Sequence, residues 1–462
     1  MFDVIIIGTG LSGYLLAYNL IKNNNKLKII MIGNSDTTNS LISGGEICTR
    51  GFEGKSIKRC IIENGEFLNN KYLLNIFLKN LDKNLTKLSN DFYIKPSFIG
   101  GNLNIGDILK KIKIYLSDKI NIKHGELCEI YNEKNIFSFV KIFTNNNFEN
   151  IKGKTLVLCS GGYGNIFHQN DNIKNDNFNF NSHGIAIKAG IKMKNLELIM
   201  FHPFGKKVNN KNLDYISSKT DILANKNILA NKNENIDGLK YILDSHNAHQ
   251  NFSQILNIFS KNKEIFINDI KYNPVVHYTI GGINIDKNFM TNIFGIFSYG
   301  EASIGVSGAS RIGGISLAEI IGFSSEIQKK IFKYLDSYKN PNFKYLDTNN
   351  NVYDFSKIQE TKNIIKNLLN FELVYGGGKK ELIKSLEKIN NLYECSYKYI
   401  AKGIILSRLK RQESRGMFFR NDYKNKSIFL YNTIFYKNCV KIEFINLFLR
   451  FKYFLYKTFL NF

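Results

Sequence analysis

At 462 residues the chain is longer than one ordinary domain, so a large domain with one or two smaller ones is expected. Hydrophobic residues make up 44% and aromatics 13%, which excludes a disordered chain despite only four prolines and no tryptophan. The formal charge of +24 comes almost entirely from lysine, and with abundant Asn and Ile it reads as drift toward AT-rich codons, not as a nucleic-acid surface, although such a field can steer a dianionic substrate toward a cleft.

The six cysteines (Cys48, Cys60, Cys128, Cys159, Cys395, Cys439) contain no Cys-x-x-Cys pair, which argues against an iron-sulfur or zinc site and against a disulfide framework. A reducing cytoplasm is the expected compartment. The first residues enter a strand with no charged leader or cleavage site, so secretion is not expected. No uninterrupted apolar run reaches membrane-spanning length.

Along the chain, Asp3 to Ile7 reads as a buried parallel strand, the glycine-rich Gly8-Thr9-Gly10-Leu11-Ser12-Gly13 follows, and Tyr14 to Lys22 reads as a helix. Lys28 to Ile32 is a second strand, completing a β-α-β unit. In that context Gly8-x-Gly10-x-x-Gly13 is a dinucleotide-binding signal, because the glycines allow a tight turn, close approach to a pyrophosphate and close helix-strand packing. The acidic residue expected for a ribose is replaced by Gly33-Asn34-Ser35, leaving Asp36 as its substitute. Thr155 to Leu158 is another short strand, ended by Ser160-Gly161-Gly162-Tyr163-Gly164. Between Pro203 and Pro274 the composition shifts to Asn, Lys and Ser, with Ile-Leu-Ala-Asn-Lys-Asn at 222–227 repeated at 228–233, and this stretch reads as an inserted lid. The duplication is too short for a solenoid unit. Residues from His277 to Glu326 are again Gly-rich and strand-like. Beyond Asn340 a helical region runs to Met417, then a tail with Leu447-Phe448-Leu449-Arg450-Phe451-Lys452-Tyr453-Phe454, read as a packed C-terminal element in preference to a membrane-surface or partner contact.

The motifs resemble, in order, those of the family of L-aspartate oxidase and the flavoprotein subunits of fumarate reductase and succinate dehydrogenase. Thr38-Asn39-Ser40-Leu41-Ile42-Ser43-Gly44-Gly45 is similar to the family's loop after the second strand. Cys159 to Gly164, His183-Gly184-Ile185-Ala186 with Lys188-Ala189-Gly190, and Glu197-Leu198 with Phe201-His202-Pro203 follow. Next come His277-Tyr278-Thr279-Ile280-Gly281-Gly282-Ile283, Gly295 to Glu301, and Gly308-Ala309-Ser310-Arg311-Ile312-Gly313-Gly314-Ile315-Ser316-Leu317. Glu413-Ser414-Arg415-Gly416, with Arg420 and Asp422-Tyr423, resembles the C-terminal signature.

The resemblance implies an α/β fold: a Rossmann-like FAD-binding domain in two parts (1–202 and 275–340), an inserted, shortened α+β capping domain (203–274) and a small helical C-terminal region with its tail (341–462). FAD would be held noncovalently, because Thr38 stands where the covalently linked relatives carry a histidine. Gly8, Gly10, Gly13, Ser43, Gly44, Gly45, Gly161 and Gly162 would line the cofactor, Glu301 would bond the ribityl region, and Ser316 and Leu317 would lie against the flavin. His202, Ser217, His277 and Arg311 would bind substrate, an arginine fork taking one carboxylate and imidazoles the other. No arginine stands between Arg59 and Arg311, so the family's proton-moving Arg-Asp motif is absent, and His249 falls in its place. Ser217-Ser218 replaces a Thr-Glu pair, while Ser307 and Phe418 replace common histidines. The implied activity is oxidation of L-aspartate to iminoaspartate, a step in NAD biosynthesis. A fumarate reductase or succinate dehydrogenase subunit and an FAD-binding homologue without turnover remain as alternatives. Implied partners are the dicarboxylate itself and either a partner oxidoreductase or a quinolinate synthase, with no nucleic acid.

Overall fold

The computed structural model describes residues 1–34, 38–43, 45–52, 54–93, 103–168, 178–208, 211–216, 228–230, 234–235, 265–267, 270–339, 341 and 353–445, and between 203 and 272 the backbone alone. Strand β1 (Phe2–Ile7), helix α1 (Leu11–Asn23) and strand β2 (Ile29–Ile32) form the expected β-α-β unit. β1 pairs in parallel with β2 and, on its other side, with β6 (Asn147–Leu158). All four residues of β2 are buried, which is why these segments read as continuous apolar runs and not as an alternation. β3 (Asn121–Lys123) lies outside β2, while β4 (Glu126–Glu133) and β5 (Ile136–Thr144) continue antiparallel from β6, giving the order β3-β2-β1-β6-β5-β4. The sequence reading found only the last four residues of β6. Its first half alternates side chains between the two faces of the β5–β6 pair and carries no continuous apolar run.

After the inserted stretch the chain returns to this sheet, where β15 (Ile296–Ser298) pairs in parallel with β6. The following helix, α3 (Ile315–Asp336), packs on α2 (Lys71–Phe92). Asn84 Nδ2 donates to the Ile321 and Gly322 carbonyls at 2.9 and 3.0 Å, and a Cβ on Gly322 would lie 2.8 Å from the Phe77 ring. This close crossing fixes the depth at which the start of α3 meets the sheet.

A second sheet has the order β11-β10-β12-β13-β8-β9, with β8 at Ile199–Val208, β9 at Lys211–Ile216, β10 at Ile228–Ala230, β11 at Glu234–Asn235, β12 at Ile265–Ile267 and β13 at Ile270–Thr279. β10 opens the second copy of the repeated hexapeptide; the first copy lies outside the described residues.

The C-terminal region is helical at Phe355–Leu368, Lys379–Asn390 and Ser396–Lys410. It is not helical throughout: β16 (Tyr431–Tyr436) and β17 (Cys439–Phe444) form an antiparallel hairpin joined by Lys437-Asn438 at φ 49° and 58°. That pair of positive φ values suits a two-residue hairpin turn, with Asn tolerating the left-handed conformation. The hairpin completes a third sheet, β14-β7-β16-β17, with β7 at Met193–Lys194 and β14 at Gly282–Ile283. Arg411 ties it down from within: its Nε lies 2.6 Å from Glu197, one Nη lies 2.8 Å from Glu413, and Thr433 Oγ1 donates to Glu197 at 2.7 Å. The Leu447–Phe454 run lies outside the described residues. No helix among the described residues is long and apolar enough to cross a membrane.

Candidate cofactor and substrate site

β1 ends in Gly8 at φ 116°, where a Cβ would sit 2.2 Å from the Cys159 carbonyl, and a Cβ on Gly13 would sit 2.2 Å from the Gly8 carbonyl. Any side chain at either position would force apart β1, β6 and α1. Glycine at both therefore brings the N-terminus of α1 down onto the ends of the central strands. Gly10 caps α1 without a side chain, and no acidic residue stands in the first turn. The Leu11 N–H donates to Ser40 Oγ at 3.1 Å, so the loop after β2 is fastened to the same helix start. Ser43 Oγ donates to the Ser40 carbonyl at 2.9 Å, and the Gly45 carbonyl accepts the Leu103 N–H at 2.8 Å. An uncompensated helix N-terminus ringed by small residues is the arrangement that receives a diphosphate. Thr38 Oγ1 is buried with no hydrogen-bond partner among the described residues.

Across the strand ends, β6 leads into Ser160-Gly161-Gly162. A Cβ on Gly162 would meet Thr279 Oγ1 at 2.1 Å and Glu301 Oε1 at 2.3 Å. The Glu301 carboxylate accepts from the Thr279 N–H at 3.1 Å and from its hydroxyl at 3.2 Å, so β13 holds the acid in place over the glycine. The turn bearing Glu301 rests against α1, where a Cβ on Gly300 would lie 3.0 Å from Ser12. Ser316 and Leu317 open α3 behind Gly314, whose carbonyl accepts the Cys48 N–H at 3.2 Å. Ser160 Oγ, Ser307 Oγ and Ser310 Oγ are buried and unpartnered among the described residues.

The two histidines come from neighbouring strands. β13 pairs Val276 with Phe201 and Tyr278 with Met200, which leaves His277 as the extra residue of a β-bulge. A bulge re-aims a side chain, and the His277 ring stands 5.9 Å from that of His202 on β8. Burial, with the neighbouring His277, holds the His202 imidazole well below its ordinary pKa, so it is neutral near pH 7. Arg311 is 5% exposed, its guanidinium carbon lies 4.5 Å from the centre of the Tyr278 ring, and its Nε has no hydrogen-bond partner among the described residues. The loop bearing it is clamped from two sides: the Ala309 N–H donates to the Gly65 carbonyl at 2.9 Å, and the Ala309 carbonyl accepts the Met417 N–H at 3.1 Å.

Of the site residues expected from the sequence, Gly8, Gly10 and Gly13 form the start of α1, Ser43 is bonded to the Ser40 that fastens it, Gly45 lies against Leu103, and Gly162 and Glu301 meet beside the same helix. His202 and His277 face each other, and Arg311 stacks on Tyr278, the residue that follows His277. Asp36, Gly44, Ser217 and His249 lie outside the described residues. His183, part of a recognised motif, is 1% exposed and bonds the Ala302 carbonyl at 3.0 Å; burial brings its pKa down to about 4 against the raising effect of that bond. Phe418, standing for a histidine, is buried with the Arg408 guanidinium 4.7 Å from its ring centre.

Two residues escaped the sequence reading. Tyr278 lies under Arg311. Glu319, 5% exposed on α3, lies so close to Gly305 that a Cβ there would meet its Oε1 at 1.9 Å. Burial pushes its carboxyl up to about 8, against the opposing pull of Arg311. An acid on the inner face of an otherwise apolar helix was the available signal for Glu319.

The FAD binding domain family matches residues 228–317. L-aspartate oxidase of Pyrococcus horikoshii is 25% identical over 478 aligned residues, covering 94% of this chain and 98% of that protein. Among solved structures, a quinol-fumarate reductase with menaquinol molecules superposes with a TM-score of 0.76 at 16% identity, over 96% of this chain and 98% of that one. Mycobacterium smegmatis Sdh1 in complex with UQ1 gives 0.73 at 15% identity, over 96% and 94%. The helix start, the Gly162 cradle and the orphaned Ser160 hydroxyl fit a flavin dinucleotide. FAD is accordingly the cofactor, and along nearly its whole length the chain is similar to L-aspartate oxidases in sequence and to the flavoprotein of a quinol-fumarate reductase in fold.

Proposed function

We propose that the chain oxidises a C4 dicarboxylate, L-aspartate to iminoaspartate first, using noncovalently held FAD. The observation that carries this reading is Arg311: a buried guanidinium without an ion-pair partner among the described residues, stacked on Tyr278, the residue next to His277. A buried cation is stable only when paired, so the site lacks an anion that a substrate carboxylate can supply. The planar fork takes that carboxylate through two parallel hydrogen bonds. His202, neutral near pH 7, donates one N–H toward the second carboxylate, and His277 assists. Bound FAD supplies the two-electron acceptor. The chain's own part is to hold the Cα–H against the flavin, exclude water, and carry off the proton that the amino group loses. His249 is assigned that proton, because an imidazole titrates near neutral pH, where acid-base transfer is most effective. The glycines of the first loop, Glu301, Ser316 and Leu317 hold the cofactor.

Anaerobic mixing of the FAD-loaded protein with L-aspartate or succinate, and separately with reduced viologen plus fumarate, tests the reading. Bleaching of the flavin by aspartate supports it. Viologen oxidation by fumarate with no response to aspartate would make the chain a reductase subunit. A flavin unchanged in every mixture would make it a binding homologue without turnover.

A further inference from the structure

Arg311 is held in an unusual way for a buried cation. Among the described residues no carboxylate lies within ion-pair distance of it and its Nε donates to nothing, yet it is 5% exposed. Among the described residues its guanidinium rests on the face of Tyr278, 4.5 Å from the guanidinium carbon. A ring face attracts a cation through its quadrupole without taking up any N–H, since all five donors lie in the guanidinium plane. Stacking therefore fixes the plane and leaves the whole edge for a ligand, whereas an ion pair to a protein carboxylate would occupy two of those donors.

The platform is itself braced. Tyr278 is the first paired residue after the His277 bulge, opposite Met200, and its hydroxyl is close enough to the Ser316 side chain at the start of α3 for the serine to act on its titration. The bulge thus sets two consecutive side chains at once, His277 toward His202 and Tyr278 beneath Arg311. The Ser316 contact sets that arrangement against the helix start expected to touch the flavin.

We propose that Tyr278 is the positioning residue of the dicarboxylate site: its ring holds the Arg311 guanidinium in the plane that receives a substrate carboxylate, and its hydroxyl registers that plane against α3. The inference rests on the dicarboxylate reading above and specifies how the site selects its ligand. Because the ring supplies the orientation, Tyr278→Phe keeps the platform and loses only the tie to Ser316. Tyr278→Leu fills similar space without a quadrupole.

The test is titration of the FAD-loaded protein with malonate and with fumarate, followed by the change in flavin absorbance, on wild type, Tyr278→Phe, Tyr278→Leu and Arg311→Lys. FAD content and melting temperature are measured on each, so that a misfolded variant is recognised. Tyr278→Leu is expected to bind FAD normally and to weaken both dicarboxylates about tenfold, or about 1.4 kcal/mol. Tyr278→Phe should stay within about threefold of wild type, on the scale of one neutral hydrogen bond. Dicarboxylate affinity equal to wild type in Tyr278→Leu, with Arg311→Lys impaired, would overturn the role of Tyr278 while leaving the dicarboxylate site standing. Tyr278→Phe as weak as Tyr278→Leu would also overturn it, because the ring face would then not be the cause. If neither dicarboxylate perturbs the wild-type flavin, the dicarboxylate reading fails and this inference with it.

Discussion

Gly162→Ala tests the cofactor cradle at its tightest point. The new methyl carbon would lie 2.1 Å from Thr279 Oγ1 and 2.3 Å from Glu301 Oε1, both far inside contact distance, so Glu301 must swing away. That movement breaks the bond from the Thr279 N–H at 3.1 Å and the one from its hydroxyl at 3.2 Å. Thr279 is 1% exposed, and a buried N–H left without its acceptor costs about 1–3 kcal/mol. Glu301 is also displaced from the position proposed to bond the ribityl chain, and a hydrogen bond to a charged group contributes about 1.5–3 kcal/mol. Taking roughly 2 kcal/mol of the second term as specific to the holoprotein, FAD should bind about thirtyfold more weakly. The first term appears in the apoprotein as a lower urea midpoint. Quenching of FAD fluorescence on titration into apoprotein reads the affinity. An FAD dissociation constant equal to wild type would show that Glu301 does not hold the cofactor from this position.

The Glu319 carboxyl, raised by burial from 4.5 to about 8, keeps a proton in the folded chain that the unfolded chain releases. Its contribution to stability is complete below about pH 4.5 and is lost as pH climbs through about 8, at roughly 1.4 kcal/mol per unit within that window. Urea melts at pH 5 and pH 8 should show wild type losing more stability than Glu319→Gln, and equal losses would contradict the buried-acid account. With Thr38 in place of a covalent anchor, acid precipitation should leave FAD in the supernatant; yellow colour retained in the pellet after washing would contradict noncovalent binding. His249→Ala should lower turnover about a hundredfold with little change in dicarboxylate affinity, on the usual scale of acid-base catalysis, and unchanged turnover would remove the proposed role. Arg411→Lys should destabilise the fold by about 3–5 kcal/mol, because one ammonium cannot satisfy Glu197 and Glu413 together. Denaturant midpoints equal to wild type would show that the fork is dispensable.

The N-terminal unit was legible because one short stretch carries its whole logic: an apolar strand, three glycines and a helix, each contact made within the first 32 residues or directly across to β6. Collinear motifs carried the rest of the site, including His202 and His277, whose meeting depends on a bulge that no local pattern announces. Tyr278 was passed over because an aromatic in a strand ordinarily reads as core, and only the return of Arg311 from a distant loop makes its ring a platform. Glu319 was passed over for a similar reason, since its environment is assembled from Gly305, Val306 and Arg311. The β16–β17 hairpin was missed because the turn Lys437-Asn438 lacks the glycine that usually marks a two-residue turn, and because its partner β7 is only two residues long.

The distribution of arginine joins these observations. Lysine supplies nearly all the positive charge, as expected of a chain drifting toward AT-rich codons, and only eight arginines remain. Arg311, Arg408, Arg411, Arg415 and Arg420 are all between 0% and 5% exposed. Arg415 reaches Glu413 at 2.8 Å, Arg420 reaches Asp422 at 2.6 Å, and Arg408 stacks on Phe418. At an exposed position Arg and Lys are nearly interchangeable, so drift runs unopposed; at a buried fork or a stacked plane they are not. Buried arginine in this chain therefore marks where planar geometry is required, whereas Arg50 and Arg59 are exposed. Four of the five buried guanidiniums belong to the brace that holds the C-terminal hairpin and the Gly416 loop against Ala309. The fifth, Arg311, sits on the loop which that brace supports, and it alone of the five has neither an ion pair nor a side-chain hydrogen bond among the described residues. The brace spends its guanidiniums on protein acceptors, and Arg311 keeps its own for an anion from outside.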